Sequence, residues 1–175
     1  LLMPDEKVRK SAGKSAVVFG RERHVPAQLS PSMAGYPSRA IRTQDYLYIH
    51  NYFPDRWPAG VPEGASHPMN VFADCDNGPI KSFLIDHKDQ PQYASFYHMS
   101  FGKRPAEELY DIHKDPDQLV NFADLARYQK VKDSLTAQLF DILKATEDPR
   151  VTDEEVRFDT YPYRAPYKLA EKKSP

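Results

Sequence analysis

The sequence predicts an α+β chain, and three observations carry that expectation. Short β-prone runs concentrate in residues 15–52, one long apolar stripe at helical spacing occupies about Leu125 to Lys144, and Pro-rich loops lie between them. A chain of 175 residues fits one domain, or one small domain carrying an extension from a larger one. With 40% hydrophobic and 28% charged residues a packed core is possible and global disorder is disfavoured. The 16 Pro, 11 Tyr and 9 Phe against 7 Gly predict fixed loops pinned by ring packing and a modest, aromatic-rich core.

The elements follow in order. Residues 5–15 are charged and small and read as an exposed linker. Ser15 to Phe19, ending at Gly20, is a short buried-strand signal, after which Arg21-Glu22-Arg23-His24 leaves the strand end. Pro26, Pro31, Gly35 and Pro37 make 25–38 an ordered irregular loop. Arg39 to Tyr52 is the clearest hairpin, with its turn near Thr43–Asp45. Its second run places Leu47, Ile49 and Asn51 on one face and Tyr46, Tyr48, His50 and Tyr52 on the other, both partly covered.

Residues 53–79 read as loop. Ile80, Phe83, Leu84 and His87 predict a helix near 79–88, and Tyr93, Phe96, Tyr97 and Phe101 another near 91–102. Glu108 to Ile112 reads as a strand and Asp115-Pro116-Asp117 as a turn. In the long helix Leu125, Tyr128, Val131, Leu135, Leu139 and Ile142 form the stripe, Asp124 is the expected N-cap, and Asp148-Pro149 ends the region. The tail around Tyr161 to Tyr167 is expected to be extended, and Lys172 to Pro175 to fray.

Charge and cysteine content narrow the functions. With 24 basic and 25 acidic residues the net charge is −1, so no whole-chain field selects a polyanion, and nucleic acid is disfavoured. Cys75 is the single cysteine, which excludes an internal disulfide and a cysteine-based structural zinc site. No apolar run approaches the ~20 residues that span a bilayer, and the first residues lack the pattern of a signal peptide. The start at Leu1 suggests a piece of a longer product.

Candidate chemistry is concentrated in Arg21, Glu22, Arg23 and His24. Two guanidinium forks match sulfate, phosphate or carboxylate oxygens, and the same residues equally make a salt-bridge cluster at a strand end. Arg39 and Arg42 suit pairing with Asp45 or Glu22 better than anion contact. Trp57 reads as a packing anchor rather than a sugar platform, and His67, His87, His98 and His113 as surface residues without ligand spacing. Asp74-Cys75-Asp76-Asn77 is oxygen-rich but lacks the closing Glu of a calcium loop. No metal is expected there, and Cys75 has no positional support as a nucleophile.

Three stretches together resemble the sulfatase family, in its heparan N-sulfatase (sulfamidase)-like branch. They are Val17 to His24 with Gly35 to Thr43; Asp45 to Ile49 with Asp55 to Gly60; and Glu108 to Ile112 with Asp115, Pro116, Gln118, Asn121, Phe122 and Ala123. The resemblance implies the C-terminal subdomain of an alkaline-phosphatase-like sulfatase, an antiparallel sheet of about four strands packed on a long helix. It divides the chain into the end of a large domain (1–35), the C-terminal subdomain (36–165) and a frayed tail (166–175).

It also implies hydrolysis of a sulfate ester or sulfamate on a glycan such as heparan sulfate. The formylglycine nucleophile, the calcium site and the cationic sulfate-holding residues would all come from sequence outside this chain, since neither Cys75-Asp76-Asn77 nor Tyr36-Pro37-Ser38-Arg39 fits the Cys-x-Pro-Ser-Arg motif. Within the chain the resemblance assigns no catalytic and no metal-binding residue, and it assigns Arg21, Glu22, Arg23 and His24 to substrate recognition. Expected partners are the upstream catalytic domain and a sulfated glycan, with no membrane and a possible homo-oligomer; the expected location is periplasmic or extracellular. Rival readings are a non-catalytic glycan-binding module and a fragment of a related phosphoesterase or phosphonate hydrolase.

Overall fold

The computed structural model describes residues 16–29, 32–64, 71–153 and 157–162. The chain divides into two compact units that interleave along the sequence. The first is Leu1–Glu22, Pro37–Pro54 and Pro105–Val156; the second is Arg23–Tyr36, Asp55–Arg104 and Arg157–Pro175.

In the first unit the β-prone runs become one four-stranded antiparallel sheet in the order β1 (Ala16–Arg21), β2 (Ser38–Thr43), β3 (Tyr46–Asn51) and β4 (Glu107–Asp111). The β2–β3 turn forms where expected because the Thr43 hydroxyl oxygen accepts from the Asp45 and Tyr46 amides at 3.3 and 3.0 Å, closing the connection with a side chain. Register then aligns Val18, Ile41, Tyr48 and Leu109 across the four strands. That row faces the helix α3 (Gln129–Ala145), where Leu135, Leu139 and Leu143 complete a core with Phe122, Ala123 and Tyr128. Alternation sends Ala40, Leu47 and Tyr110 into a separate buried cluster. Both faces of β3 are covered, as its two-sided pattern predicts.

The long helix departs from expectation at its start, and it ends within one residue of the expected Lys144. Its first turn is a 3-10 turn (Ala126–Tyr128), and α3 begins after Tyr128 with no side-chain cap. Asp124 caps nothing there: the Leu125 amide bonds the Phe122 carbonyl, turning the chain before the helix starts. Tyr128, Leu135 and Leu139 are buried and Val131 and Ile142 half-buried against the same core, as the stripe predicts; Leu143, four residues after Leu139, joins them, while Leu125, ahead of the helix, is 40% exposed. Asp148 caps a further short helix, α4 (Pro149–Thr152), by accepting from the Arg150 amide at 2.9 Å.

The two edges of the sheet differ. At β4, the Asn121 side chain takes the place of a fifth strand: its Oδ1 accepts from the Leu109 amide (2.8 Å) and the Ala123 amide (3.0 Å), while its Nδ2 donates to the Glu107 carbonyl (3.0 Å). The Phe122 amide donates to the Leu109 carbonyl at 2.8 Å and completes the seal. Upstream, Gln118 takes a positive φ of 57° in the turn after Pro116, and the Asp115 carboxylate accepts from the Val120 amide at 2.7 Å.

The second unit contains α1 (Pro79–Asp86) and α2 (Pro91–Phe101), close to the expected limits, each opened by a proline in its first turn. The face of α1 is a correction. Ile80 is 76% exposed, and the one buried residue of the helix is Lys81. The Lys81 ammonium donates to the carbonyls of Phe72 (3.0 Å) and Cys75 (2.6 Å) and to Asn77 Oδ1 (3.3 Å). A buried ammonium that has three donors needs three acceptors, and the 72–77 loop supplies them. In α2 the stripe is partly inward: Phe101 is buried and stacks on Phe72 at 4.6 Å, whereas Phe96 is exposed. The expected frayed end, most of the extended tail and His67 lie outside the described residues.

Candidate functional site

β1 ends at Arg21, and the next residue meets its partners at once. Glu22 Oε1 lies 2.7 Å from Arg39 Nη2, and Glu22 Oε2 lies 2.6 Å from Arg150 Nη2. Arg39 reaches Asp148 as a fork, Nε to Oδ2 at 2.7 Å and Nη2 to Oδ1 at 3.0 Å. Two guanidinium groups and two carboxylates thus alternate in a network within the first unit, with the Arg39 and Arg150 side chains almost fully buried. Burial works to lower the Arg39 pKa, but hydrogen bonds and charge from Asp148 and Glu22 outweigh it and hold the guanidinium more firmly protonated than usual.

The backbone accommodates this network through Gly20. A β-carbon there would lie 2.6 Å from the Ser38 carbonyl and 2.7 Å from Arg39 Cδ, so only glycine lets the Arg39 stem cross the strand. Tyr52 and Phe53 lie beneath Arg150, with ring centroids 5.9 and 5.7 Å from its guanidinium carbon. The Tyr52 hydroxyl is buried with no hydrogen-bond partner among the described residues, and burial pushes its pKa up.

Among the described residues the formal charges of the network cancel, two positive against two negative. Its chemistry is to anchor the end of β1 and the start of α4 to β2, rather than to present positive charge to a ligand. Of the two partners the sequence offers Arg39, the structure selects Glu22; Asp45 instead contacts His113 Nε2 at 2.7 Å. Asp148 and Arg150, 109 and 128 residues from their partners, have no local sequence signal.

The remaining candidates separate. Arg21 is exposed at the end of β1, and its carbonyl accepts from Arg39 Nη1 at 3.3 Å. In the second unit Arg23 Nη1 donates to the carbonyls of Met33 and Tyr161, at 2.5 and 2.9 Å. The His24 side chain is 74% exposed, with Nδ1 3.3 Å from the buried Asp74 carboxylate. Asp74 Oδ1 also accepts from the Val25 amide at 3.3 Å, so the 72–77 loop fixes the backbone beside His24.

Trp57 is a packing anchor, as read: its ring tilts against Phe72 at 6.1 Å, its carbonyl accepts from Gln28, and Lys103 lies 5.4 Å above it. Arg56 donates to the Gly35 carbonyl and pairs with Asp159 at 2.7 Å. Among the described residues no group of three or more His, Cys, Asp or Glu side chains could hold a metal ion. Nor is any described helix long and apolar enough to cross a membrane.

No protein-family model matches the chain, and a search of curated proteins finds no match. Among solved structures the chain is similar to BT4656 in complex with its substrate D-glucosamine-2-N,6-O-disulfate, at 17% identity and a TM-score of 0.40, covering 81% of this chain and 18% of that one. It is also similar to a Bacteroides thetaiotaomicron protein provisionally described as a sulfatase, at 19% identity and a TM-score of 0.42, covering 84% and 20%. The chain therefore spans about a fifth of the length of each. Both scores are low, and neither protein's substrate or chemistry transfers to this chain through them.

Proposed function

We propose that this chain is the C-terminal portion of a sulfatase acting on a sulfated glycan, contributing substrate recognition and lacking the nucleophile. The carrying observation is one of order. The three stretches that resemble the sulfatase family occur in sequence, and the sheet of four antiparallel strands with a long helix against it, which that resemblance implies, is the architecture of the first unit. The calcium and formylglycine of such an enzyme, its upstream catalytic domain and its export belong to the same proposal.

Recognition falls on Arg21, Arg23 and His24, with His24 presenting an exposed imidazole to a sugar hydroxyl or acidic group. Glu22 serves the same stretch by holding the end of β1 to Arg39 and Arg150. The test is kinetic, in the protein that carries this chain behind its upstream region. His24→Ala should raise KM for a sulfated glucosamine oligosaccharide about tenfold, the loss of about 1.4 kcal/mol of binding, while kcat stays within about threefold. A collapse of kcat at unchanged KM would place His24 in the chemical step, and unchanged kinetics would remove it from the site.

A further inference from the structure

The two edges of the sheet are treated differently. β4 is sealed by Asn121 and Phe122, but among the described residues no backbone group from a further segment bonds the outer edge of β1 over Ala16–Gly20. Within Ala16–Gly20 β1 has no charge, no proline and no bulge in its pairing with β2, and its one charge, Arg21, stands at its end. Its alternation is uneven toward solvent. Ala16 and Val18 pack on the helix-side core, while Val17 and Phe19, on the opposite face, are 64% and 50% exposed.

We propose that β1 is a docking edge for a second copy of this chain, joined antiparallel into a continuous eight-stranded sheet. An open strand edge recognises extended backbone, and the β1 sequence is self-complementary under a two-fold axis. A two-fold normal to the sheet preserves faces, so opposed residues must share a face and only registers centred on a residue are allowed. Centring on Val18 sets Val17 against the partner's Phe19 on the exposed face, Val18 against its own copy, and Ala16 against Gly20. Every opposed pair is then uncharged, and the two aromatic–β-branched contacts cover the apolar side chains that the single chain exposes. Centring on Phe19 instead sets the charged Arg21 against Val17. Centring on Val17 opposes only Ala16 and Val18 within β1 and sets Phe19 against no residue of the strand, so the Val18 register is the one selected.

Pairing over five residues a side buries less than a standard interface, so the dimer is weak and reversible. Sedimentation of the 175-residue chain should give a weight-average mass that climbs toward twice the monomer as concentration rises to ~1 mM, and Val17→Lys with Phe19→Lys should abolish the rise. Cross-linking reads the register. With Cys75→Ser in both proteins, a mixture of Val17→Cys and Phe19→Cys chains should oxidise to a mixed disulfide faster than either alone, since only that pair is directly opposed. A circular dichroism spectrum equal to that of the parent shows that each exposed-site variant is folded. A chain monomeric throughout, a dimer that survives both lysines, or faster self-cross-linking of Phe19→Cys would each overturn the proposal.

Discussion

Arg39 enters β2 as one of six strand residues, yet its guanidinium decides what its neighbours can do. Because it lies between Glu22 and Asp148, Glu22→Gln leaves a buried positive charge short of a partner. Glu22 is about a quarter exposed, so the loss should fall below the ~3–5 kcal/mol of a fully buried pair, at about 2 kcal/mol in urea unfolding. Gly20→Ala should cost a similar ~1–3 kcal/mol for a different reason, overpacking against the Ser38 carbonyl and the Arg39 stem. If both variants unfold at the parent's midpoint, the network does not anchor this end of the sheet.

A third residue-scale expectation concerns acid. Hydrogen bonding from Lys114 leads the effects that bring Asp111 down to about 2; burial opposes it, and the Lys114 amide and Tyr128 hydroxyl assist. A carboxyl depressed in the folded state stabilises fully above its unfolded value of about 4 and loses that contribution as pH falls toward about 2. Asp111→Asn should therefore flatten the pH dependence of stability between about pH 4 and 2. Unchanged steepness in that window would remove Asp111 from the acid response.

Among the elements, α3 packs on a row drawn from all four strands, and its contribution can be separated from that of the β4 edge. Leu139 is wholly buried, so Leu139→Ala should lower stability by about 2–5 kcal/mol, whereas Leu125, partly exposed before the helix begins, should cost far less. Asn121→Ala removes two accepted bonds and one donated bond from the β4 edge and should cost about 1–3 kcal/mol, with amide exchange at Leu109 accelerated. An unchanged Leu109 exchange rate would mean that the edge is closed by Phe122 alone. In α1 the apolar spacing of Ile80 and Phe83 locates a helix correctly but points it wrongly: the carbonyls of the 72–77 loop draw Lys81 inward, and Ile80 faces out. Periodicity reports that a stripe exists, not which side of the helix finds partners.

At the scale of the molecule, legibility followed sequence distance. The strands, the hairpin turn set by Thr43, and the helices at 79 and 91 were readable because their signals are local. Of the network only the Arg39–Glu22 pairing was; Asp148 and Arg150 join it once β1, β2 and α4 are assembled, and either reading of Glu22 fits the same four letters. The exposure of Leu125 likewise depends on a 3-10 turn before the helix that no residue near Tyr128 announces. The division of Arg21 and Glu22 from Arg23 and His24 between two units is a tertiary fact of the same kind.

The central claim is that recognition and bond breaking reside in different parts of one protein, and sulfate release measures it directly. The 175-residue chain should liberate no sulfate from N- and O-sulfated glucosamine oligosaccharides, while the product of the full reading frame, with its upstream region in place, should turn them over. Sulfate release by the isolated chain, or none from the full-length protein loaded with calcium and carrying its formylglycine, would contradict it.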